Sequence, residues 1–186
     1  MNENRRELIL DAARRAAQAH GYRGLNFRDL AEHVGIKAAS VHYHFPGKAD
    51  LGAAVARRYR EDAAAALQAL TDETGDPVEA LRRYPVLFRA ALENDNRMCL
   101  ASFMATEYDD LPDAVKVEVQ AFTDVHVAWL AGRLSAAGLI EGGGQARARA
   151  IYAAIIGAQL MARSRCDAGI YDSLIESFRG AGLLPG

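Results

Sequence analysis

The sequence predicts an all-α protein of 186 residues. Over most of the chain, apolar residues recur at spacings of three and four, the period of an amphipathic helix. Beyond Lys48 no segment alternates apolar and polar residues as a strand does, and Gly and Pro mark the turns between helices. With 51% apolar residues, the chain can bury a sizeable core, in one domain or in a small domain beside a larger one.

Two short helices separated by a glycine turn are predicted near the N-terminus. The first begins after Asn26, whose side chain can accept hydrogen bonds from the first amides of a helix, and runs to about Val34. Gly35 then ends it, because glycine adopts the left-handed conformation common after a helix. A second helix follows from about Ala38 to Tyr43, with Val41 facing inward. Because so short a helix is unstable alone, it must be held against its domain.

Four segments of the first 51 residues form a recognisable pattern. They are RELILDAA, HGY, RDLAEHVGI and VHYHFPGKADL, which begin at Arg6, His20, Arg28 and Val41. Their order and spacing resemble the N-terminal domain of the TetR (tetracycline repressor) family of transcriptional regulators, and the likeness beyond residue 51 is weak. His42 stands where the family usually has a tyrosine that contacts a phosphate, so the family's base preference is not transferred to this chain.

The resemblance implies a helix-turn-helix DNA-binding domain over residues 1–47 and an all-helical effector-binding and dimerisation domain over residues 48–186. Two subunits would read a pseudo-palindromic operator whose half-sites lie roughly 34 to 36 Å apart, or a multiple of that, and a small molecule would release it. The implied DNA-facing residues are Arg28, Lys37, Ser40, His42, Tyr43, His44 and Lys48, the last of which grips a phosphate. Arg5 and Arg6 are candidates for further backbone contacts. The alternatives are a solvated surface charge at each cation and, for His42, simple packing.

The charge distribution favours nucleic acid as a partner, although the net charge of the whole chain is only −2. Residues 1–60 carry 11 Lys and Arg against 6 Asp and Glu, a net of +5, and residues 61–186 carry 11 against 18, a net of −7. A cationic region joined to a body that does not attract phosphates is typical of a DNA-binding protein.

The body is predicted as a series of helices, the first of which runs from about Lys48 to Leu70. Asp76 and Pro77 form a strong helix start, a cap followed by proline in the first position, and Pro85 is expected to kink that helix. Further helices are predicted after Asp95 or Asn96, after Leu111 with Pro112 in the first turn, over about residues 145–167 and over about residues 170–179, with breaks at Gly138 and Gly142–Gly144.

The helix predicted over residues 145–167 is apolar almost all the way round, so it must be covered on both sides. Its small residues favour close packing against another chain, and with the last helix it resembles the family's dimer interface, a four-helix bundle with two helices from each subunit. The predicted homodimer interface comprises Ile151, Ala154, Gly157, Ala158, Met161, Ile170, Leu174 and Phe178. The alternative is the central helix of a monomer.

An effector pocket is expected among the helices between Leu51 and Gly138. Its candidate residues are Tyr84, Phe88, Cys99, Phe103, Phe122, His126 and Trp129. They imply a largely apolar or aromatic small molecule of unknown identity. The alternative is that the stripe formed by Phe122, His126 and Trp129 is core, as most aromatic stripes are.

Cys99 has a second interpretation as a sensor. It is predicted about three residues into a helix capped by Asp95 or Asn96, near Arg97, and both a helix N-terminus and a cation favour the reactive thiolate. Some members of the family with a Cys-Leu pair near this place sense reactive compounds. The alternative is a buried, inert cysteine.

Other functional classes fit less well. No nucleophile with a base, carboxylate pair or metal-ligand spacing is found, since His42 and His44 are two residues apart, so neither catalysis nor a cofactor is expected. A protein-binding module would explain the apolar late helix and leave the basic region unexplained. The N-terminus lacks the apolar core of a signal peptide, and the most apolar window, residues 150–162, is too short to cross a bilayer, so a cytoplasmic location is expected.

Overall fold

The computed structural model describes residues 2–140 and 144–186. No strand occurs in this part of the chain, which confirms the all-α prediction. Single 3-10 turns lie at Tyr22–Gly24 and Tyr108–Asp110. Helices α1 to α10 are, in order, Asn2–His20, Phe27–Val34, Ala38–His44, Lys48–Thr74, Pro77–Arg83, Val86–Glu93, Leu100–Ala105, Asp113–Ala136, Gln145–Arg165 and Ala168–Gly180.

The helices form two compact units. The N-terminal unit comprises the residues up to Glu61 together with Leu100–Phe122, and the C-terminal unit comprises Asp62–Cys99 together with the residues from Thr123 onward. The predicted division between residues 47 and 48 is one of function and stays a prediction, although α4 does begin at Lys48.

The core of the N-terminal unit is shared by α1, α2, α3, α4, α7 and α8. The side chains that pack there come from segments far apart in the sequence, so α7 and the start of α8 complete the hydrophobic core of the first three helices. Its fully buried members include Ile9, Ala13, Val41, Leu51, Leu100, Met104 and Val115.

Local capping interactions define the ends of α2. Oδ1 of Asn26 accepts from the backbone N–H of Arg28 at 2.9 Å and from that of Asp29 at 3.4 Å. Gly35 follows the helix in the left-handed conformation, with φ of 74°. Both predicted ends of α2 are therefore confirmed, and α3 extends one residue past its predicted end.

The next two helices follow the prediction only in part. α4 continues to Thr74 and ends before Gly75, which has φ of 61°. The start at Asp76 is confirmed, since its carboxylate accepts from the N–H groups of Val78 at 3.3 Å and Glu79 at 3.0 Å. Pro85 was expected to kink the helix that begins at Pro77. Instead that helix ends at Arg83, and Pro85 separates it, as α5, from α6.

The helix predicted to follow Asp95 or Asn96 was placed too early. Both residues have positive φ, 52° and 53°, and the side-chain amide of Asn96 donates to the carbonyl of Arg163 instead of capping a helix. α7 begins only at Leu100. Likewise α8 begins at Asp113, so Pro112 precedes its first turn instead of lying in it.

The predicted breaks around the last two helices are found among the described residues. Gly138 follows α8 with φ of 66° and Gly144 precedes α9 with φ of 55°, whereas Gly142 and Gly143 lie outside the described residues. α10 begins two residues earlier than predicted, because Asp167 caps it by accepting from the N–H of Gly169 at 2.8 Å. Within the described ranges, no helix is both long enough and apolar enough to cross a membrane.

Candidate nucleic-acid interface and effector site

Helix α3 is held by one buried side chain and presents another to solvent. Val41 is fully buried, whereas Tyr43 is 73% exposed. Ser40 is half-buried and Lys37, at the N-terminal end of the helix, is exposed. The exposed Arg28 lies in the first turn of α2. This arrangement gives α3 an outward surface bearing a phenol, a hydroxyl and a cation.

The two histidines of α3 have different surroundings. The exposed ring of His42 packs on Phe27, with centroids 4.5 Å apart. The half-buried ring of His44 contacts Tyr43 edge-on at 5.2 Å, and its Nε2 is buried with no hydrogen-bond partner among the described residues. His44 therefore supports Tyr43 with its ring, while His42 keeps an outward surface.

Lys48 has an internal role that the sequence did not indicate. Its Nζ donates to the carbonyl oxygen of Arg23 at 3.2 Å and lies 4.8 Å from the centre of the Tyr22 ring. The predicted contact of Lys48 with a DNA phosphate thus competes with a contact inside the domain. An ammonium has three donors, and Lys48 lines an open depression together with Asn26 and His42, so one ammonium can serve both purposes.

The two N-terminal arginines also differ. Arg5 is exposed. Arg6 pairs with Glu7 at 3.4 Å, and its guanidinium lies 5.4 Å from the centre of the Phe45 ring. Arg6 is therefore already engaged within the protein, whereas Arg5 is available as a surface charge.

Four of the predicted effector residues form one aromatic cluster in the C-terminal unit. Tyr84 stacks on Trp129 with centroids 5.3 Å apart, and Phe88 contacts His126 at 5.3 Å. The cluster also contains Tyr152 of α9, which lies 5.6 Å from His126 and 6.2 Å from Phe88. Tyr152 was missed because it was assigned to an apolar packing helix, although an aromatic residue there was a usable signal.

Two other predicted effector residues belong to the N-terminal unit. Phe122 is buried and stacks on Tyr59 with centroids 5.1 Å apart and an angle of 16° between the rings. Phe103 is half-buried in α7. For Phe122, the alternative of a core residue describes its position better.

Burial keeps the cluster uncharged at neutral pH. The Nδ1 of His126 lies 2.9 Å from the hydroxyl of Tyr84. Burial lowers the pKa of His126 from 6.5 to about 4, and burial also raises the pKa of Tyr84 well above its usual value. The surroundings therefore suit a neutral molecule better than an ion.

Cys99 lies beside this cluster, but not in the predicted setting. It precedes α7 instead of lying in its first turn, and it is only 1% exposed. Its backbone N–H donates to Oε1 of the fully buried Gln159 at 2.9 Å, and Nε2 of Gln159 donates to the carbonyl of Phe88 at 2.6 Å. Gln159 therefore joins two predicted effector residues. A polar amide within an apolar stretch of α9 was the feature of the sequence that could have indicated this role.

The predicted dimer residues of α9 and α10 differ in how deeply they are buried in the subunit. Ile151 is fully buried and Ala158 is 2% exposed, so the structure corrects their assignment: both belong to the core of their own unit. Gly157 is exposed and Met161 is 50% exposed. The remaining predicted residues, Ala154, Ile170, Leu174 and Phe178, are half-buried. Leu160, which was not among the predicted interface residues, is 52% exposed.

Comparison with known proteins shows two levels of likeness. Residues 9–55 match the family described as bacterial regulatory proteins, tetR family. A stretch of 60 residues is 45% identical to the HTH-type transcriptional repressor AcnR of Corynebacterium diphtheriae, covering 32% of this chain and 30% of that protein. The chain therefore matches less than a third of the length of that curated relative.

Two solved structures are similar over nearly the whole chain. A TetR-family transcriptional regulator from Agrobacterium tumefaciens has a TM-score of 0.89 and 29% identity, with 96% of this chain and 97% of that chain covered. A TetR transcriptional regulator from Legionella pneumophila has a TM-score of 0.87 and 28% identity, with 94% and 95% covered. The all-helical fold beyond residue 55 is thus shared with regulators.

Proposed function

Because residues 9–55 match the tetR family of bacterial regulatory proteins and nearly the whole chain shares its fold with two TetR-family regulators, we propose that it belongs to that family and is a cytoplasmic DNA-binding transcriptional regulator. It acts as a repressor on a pseudo-palindromic operator, to which it binds as a homodimer. A small, largely apolar molecule lowers its affinity for that operator. This family consists of regulators, not enzymes, and none of the proposed roles is catalytic.

The observation that supports DNA binding best is the exposed surface of α3. The aromatic side chain of Tyr43 is 73% exposed and is therefore available to a partner. It stands on a short helix anchored by Val41, in the region that carries a net charge of +5 over residues 1–60. An α-helix of this kind fits the major groove, and nearby cations contact phosphates.

The side chains proposed to face DNA divide into two roles. Ser40 and Tyr43 point to base edges or the sugar-phosphate backbone, while Arg28, Lys37 and His42 contact phosphates. Lys48 adds a phosphate contact through the donors it does not use on Arg23. His44 supports the position of Tyr43 more than it contacts DNA.

Dimerisation uses the exposed part of α9 with one side of α10. Met161, Leu160 and Gly157 provide an apolar surface with a close-approach point, and Ala154, Ile170, Leu174 and Phe178 extend it. Two copies of this surface form a two-fold interface, which places two α3 helices on one duplex. A partner removes from water the large apolar side chains that a single subunit leaves exposed.

The effector binds at the aromatic cluster of Tyr84, Phe88, His126, Trp129 and Tyr152. Neutral aromatic rings and one histidine of lowered pKa select a neutral, apolar or aromatic molecule. The burial of Cys99 favours a noncovalent effector over a cysteine-reactive one, because a thiol reacts through an accessible thiolate.

The direct test is a gel-shift titration over a range of salt concentrations. The probe is the duplex that the wild-type protein enriches from a random-sequence pool. Phosphate contacts predict a steep fall in affinity with salt, and Lys37→Ala should reduce the slope of log K against log salt by about 1. Tyr43→Ala should weaken binding roughly tenfold, the loss of one specific groove contact.

The matched control is Arg83→Ala, which removes the same charge from the C-terminal unit, where Arg83 pairs with the exposed Glu73. It should leave both affinity and salt slope unchanged. A protein that enriches no duplex, or whose binding has a flat response to salt, would instead be a protein-binding module.

A further inference from the structure

A carboxylate from a distant segment caps the turn that leads into the DNA-reading helices. Oε2 of Glu107 accepts from the backbone N–H of Tyr22 at 2.6 Å. Glu107 follows α7, 85 residues further along the chain. The N–H of Tyr22 begins the 3-10 turn Tyr22–Gly24 and would otherwise lack a partner within that turn. A hydrogen bond from an amide to a carboxylate is stronger than one between neutral groups.

The backbone is shaped to admit this carboxylate. Gly21 has φ of 68°, and a Cβ at this position would lie 2.1 Å from Oε2 of Glu107. Any other residue would therefore push the carboxylate away. The close approach depends on glycine in both conformation and space.

The same turn is held from its other side by the start of α4. Nζ of Lys48 donates to the carbonyl of Arg23, and the Tyr22 ring lies so close to Gly52 that a Cβ there would meet it at 2.6 Å. Asp110 also pairs with Arg23 at 2.5 Å, but both side chains are more than half exposed, so that ion pair contributes little. Of the two contacts from the segment that follows α7, the one from Glu107 is therefore the stronger.

The position of the turn matters because it leads directly to α2. Leu25, which is 1% exposed, and Asn26, the cap of α2, follow it immediately. α2 then packs on α3. Fixing the turn between α1 and α2 therefore fixes where the helix pair begins relative to the core of its own unit.

We propose that Glu107 is a positioning residue for DNA binding, and that its hydrogen bond to Tyr22 holds α2 and α3 in the orientation that reads the operator. This inference rests on the proposed function. When the bond is lost, α2 and α3 sample further orientations relative to the core of their unit, and the apparent Kd rises by the inverse of the fraction of molecules that remains competent to bind.

Charge alone predicts the opposite outcome, which makes the inference testable. Glu107 places a negative charge in the unit that meets a polyanion, so its removal should strengthen DNA binding if only long-range electrostatics mattered. Two substitutions separate the effects. Glu107→Gln removes the charge and keeps an acceptor at the same length, and Glu107→Asp keeps the charge and shortens the reach by one methylene.

The experiment measures the Kd of each variant for the duplex enriched by the wild-type protein, by fluorescence anisotropy at several salt concentrations. The inference expects Glu107→Gln to bind within about threefold of wild type and Glu107→Asp to bind roughly tenfold more weakly, the size of one charged hydrogen bond. The salt slope should be unchanged in both, because no phosphate contact is lost. Asp109→Asn, an exposed neighbour with the same change of charge as Glu107→Gln, should bind as wild type does or slightly more tightly.

Circular dichroism at the assay temperature shows whether each variant is folded; Glu107→Gln keeps the size of the side chain, and Glu107→Asp removes only one methylene. Wild-type affinity in a folded Glu107→Asp protein overturns the inference, as does a Glu107→Gln protein that binds much more weakly than Glu107→Asp. A wild-type protein that enriches no duplex overturns the proposed function itself, which is a different result.

Discussion

The hydroxyl of Tyr84 lies 2.9 Å from Nδ1 of His126 in the buried cluster of the C-terminal unit. Tyr84 is fully buried and His126 is 3% exposed. A neutral imidazole can accept this hydrogen bond, whereas an imidazolium can only donate. The contact therefore links the protonation state of one side chain to the packing of the region proposed to bind the effector.

His126 should make the protein less stable in mild acid. Its pKa falls from 6.5 in the unfolded chain to about 4 in the folded one, so the unfolded state takes up the proton first. Its contribution to stability is complete above about pH 6.5 and is lost as the pH falls toward about 4. Between about pH 7.5 and about pH 5 the free energy of unfolding should fall by about 2 kcal/mol from this residue.

Urea unfolding of wild type and His126→Gln at the two pH values checks this. Gln does not titrate and keeps a polar group near Tyr84, so the drop in stability on acidification should be smaller by about that amount. An equal drop in both proteins would show that other groups cause it.

Glu118 should stabilise the N-terminal unit through two arginines of α4. Glu118 is 7% exposed, and its carboxylate accepts from Nε of Arg57 at 2.7 Å and from Nε of Arg60 at 2.9 Å. Burial alone would raise the pKa of Glu118, but the hydrogen bonds and charges of the two arginines outweigh it and lower that pKa. Glu118→Gln should reduce the free energy of unfolding by about 1 to 2 kcal/mol at neutral pH, a value that allows for the exposure of Arg57.

The difference between Glu118→Gln and wild type should depend on pH. Because the folded pKa of Glu118 is lowered, its contribution is present above its unfolded value of about 4.5 and is lost as the pH falls through the folded pKa. Thermal unfolding at several pH values measures this. Asp124→Asn, a substitution at an exposed residue of the same helix, should have little effect on stability at any pH. If the stability difference between Glu118→Gln and wild type did not shrink in acid, the ion pairs of Glu118 with Arg57 and Arg60 would not be its cause.

The exposed side of α9 should be needed for dimerisation. Leu160→Glu, at a side chain that is 52% exposed, should leave the subunit folded and shift it from dimer to monomer, because an interface cannot bury an unpaired carboxylate cheaply. Sedimentation velocity at micromolar concentration measures the change. Val117→Glu, at a side chain that is 61% exposed on α8, is the matched control and should sediment as wild type. A Leu160→Glu protein that remains dimeric would place the interface elsewhere.

The two cysteines should differ in their reaction with alkylating agents. Cys166 is exposed and Cys99 is buried. In the native protein, iodoacetamide should modify Cys166 at least about tenfold faster, because attack requires an accessible thiolate. Peptide mass spectrometry over time gives both rates, and comparable rates in urea confirm that folding causes the difference. Faster modification of Cys99 in the native protein would restore the sensor hypothesis.

Helix ends were predictable where a local cap defines them. Asn26 and Asp76 each bond to amides two and three residues ahead, so the pattern is visible in a short window of sequence. Where the cap was ambiguous, as at Asp95 and Asn96, prediction placed a helix too early. There the amide of Asn96 bonds to a carbonyl 67 residues away, which no local pattern reveals.

The candidate DNA-binding site was likewise predictable only where its features depend on local sequence. The outward position of Tyr43 and the inward position of Val41 follow from helical spacing. The contact of Lys48 with the Tyr22–Gly24 turn does not, because it joins residues on different helical segments. A motif tells which residue types stand together, but the partner of a long side chain depends on how the chain folds back.

By itself the amino-acid order settled the all-helical class and the two short helices around Gly35, since these depend on neighbours within about four residues. It also settled the basic N-terminal region, which depends on composition alone. Tertiary structure alone decided that Glu107 caps Tyr22, that Gln159 joins Phe88 to Cys99, and that Ile151 and Ala158 are core. Those contacts bring together segments distant in sequence, and only packing determines which buried polar group finds which partner.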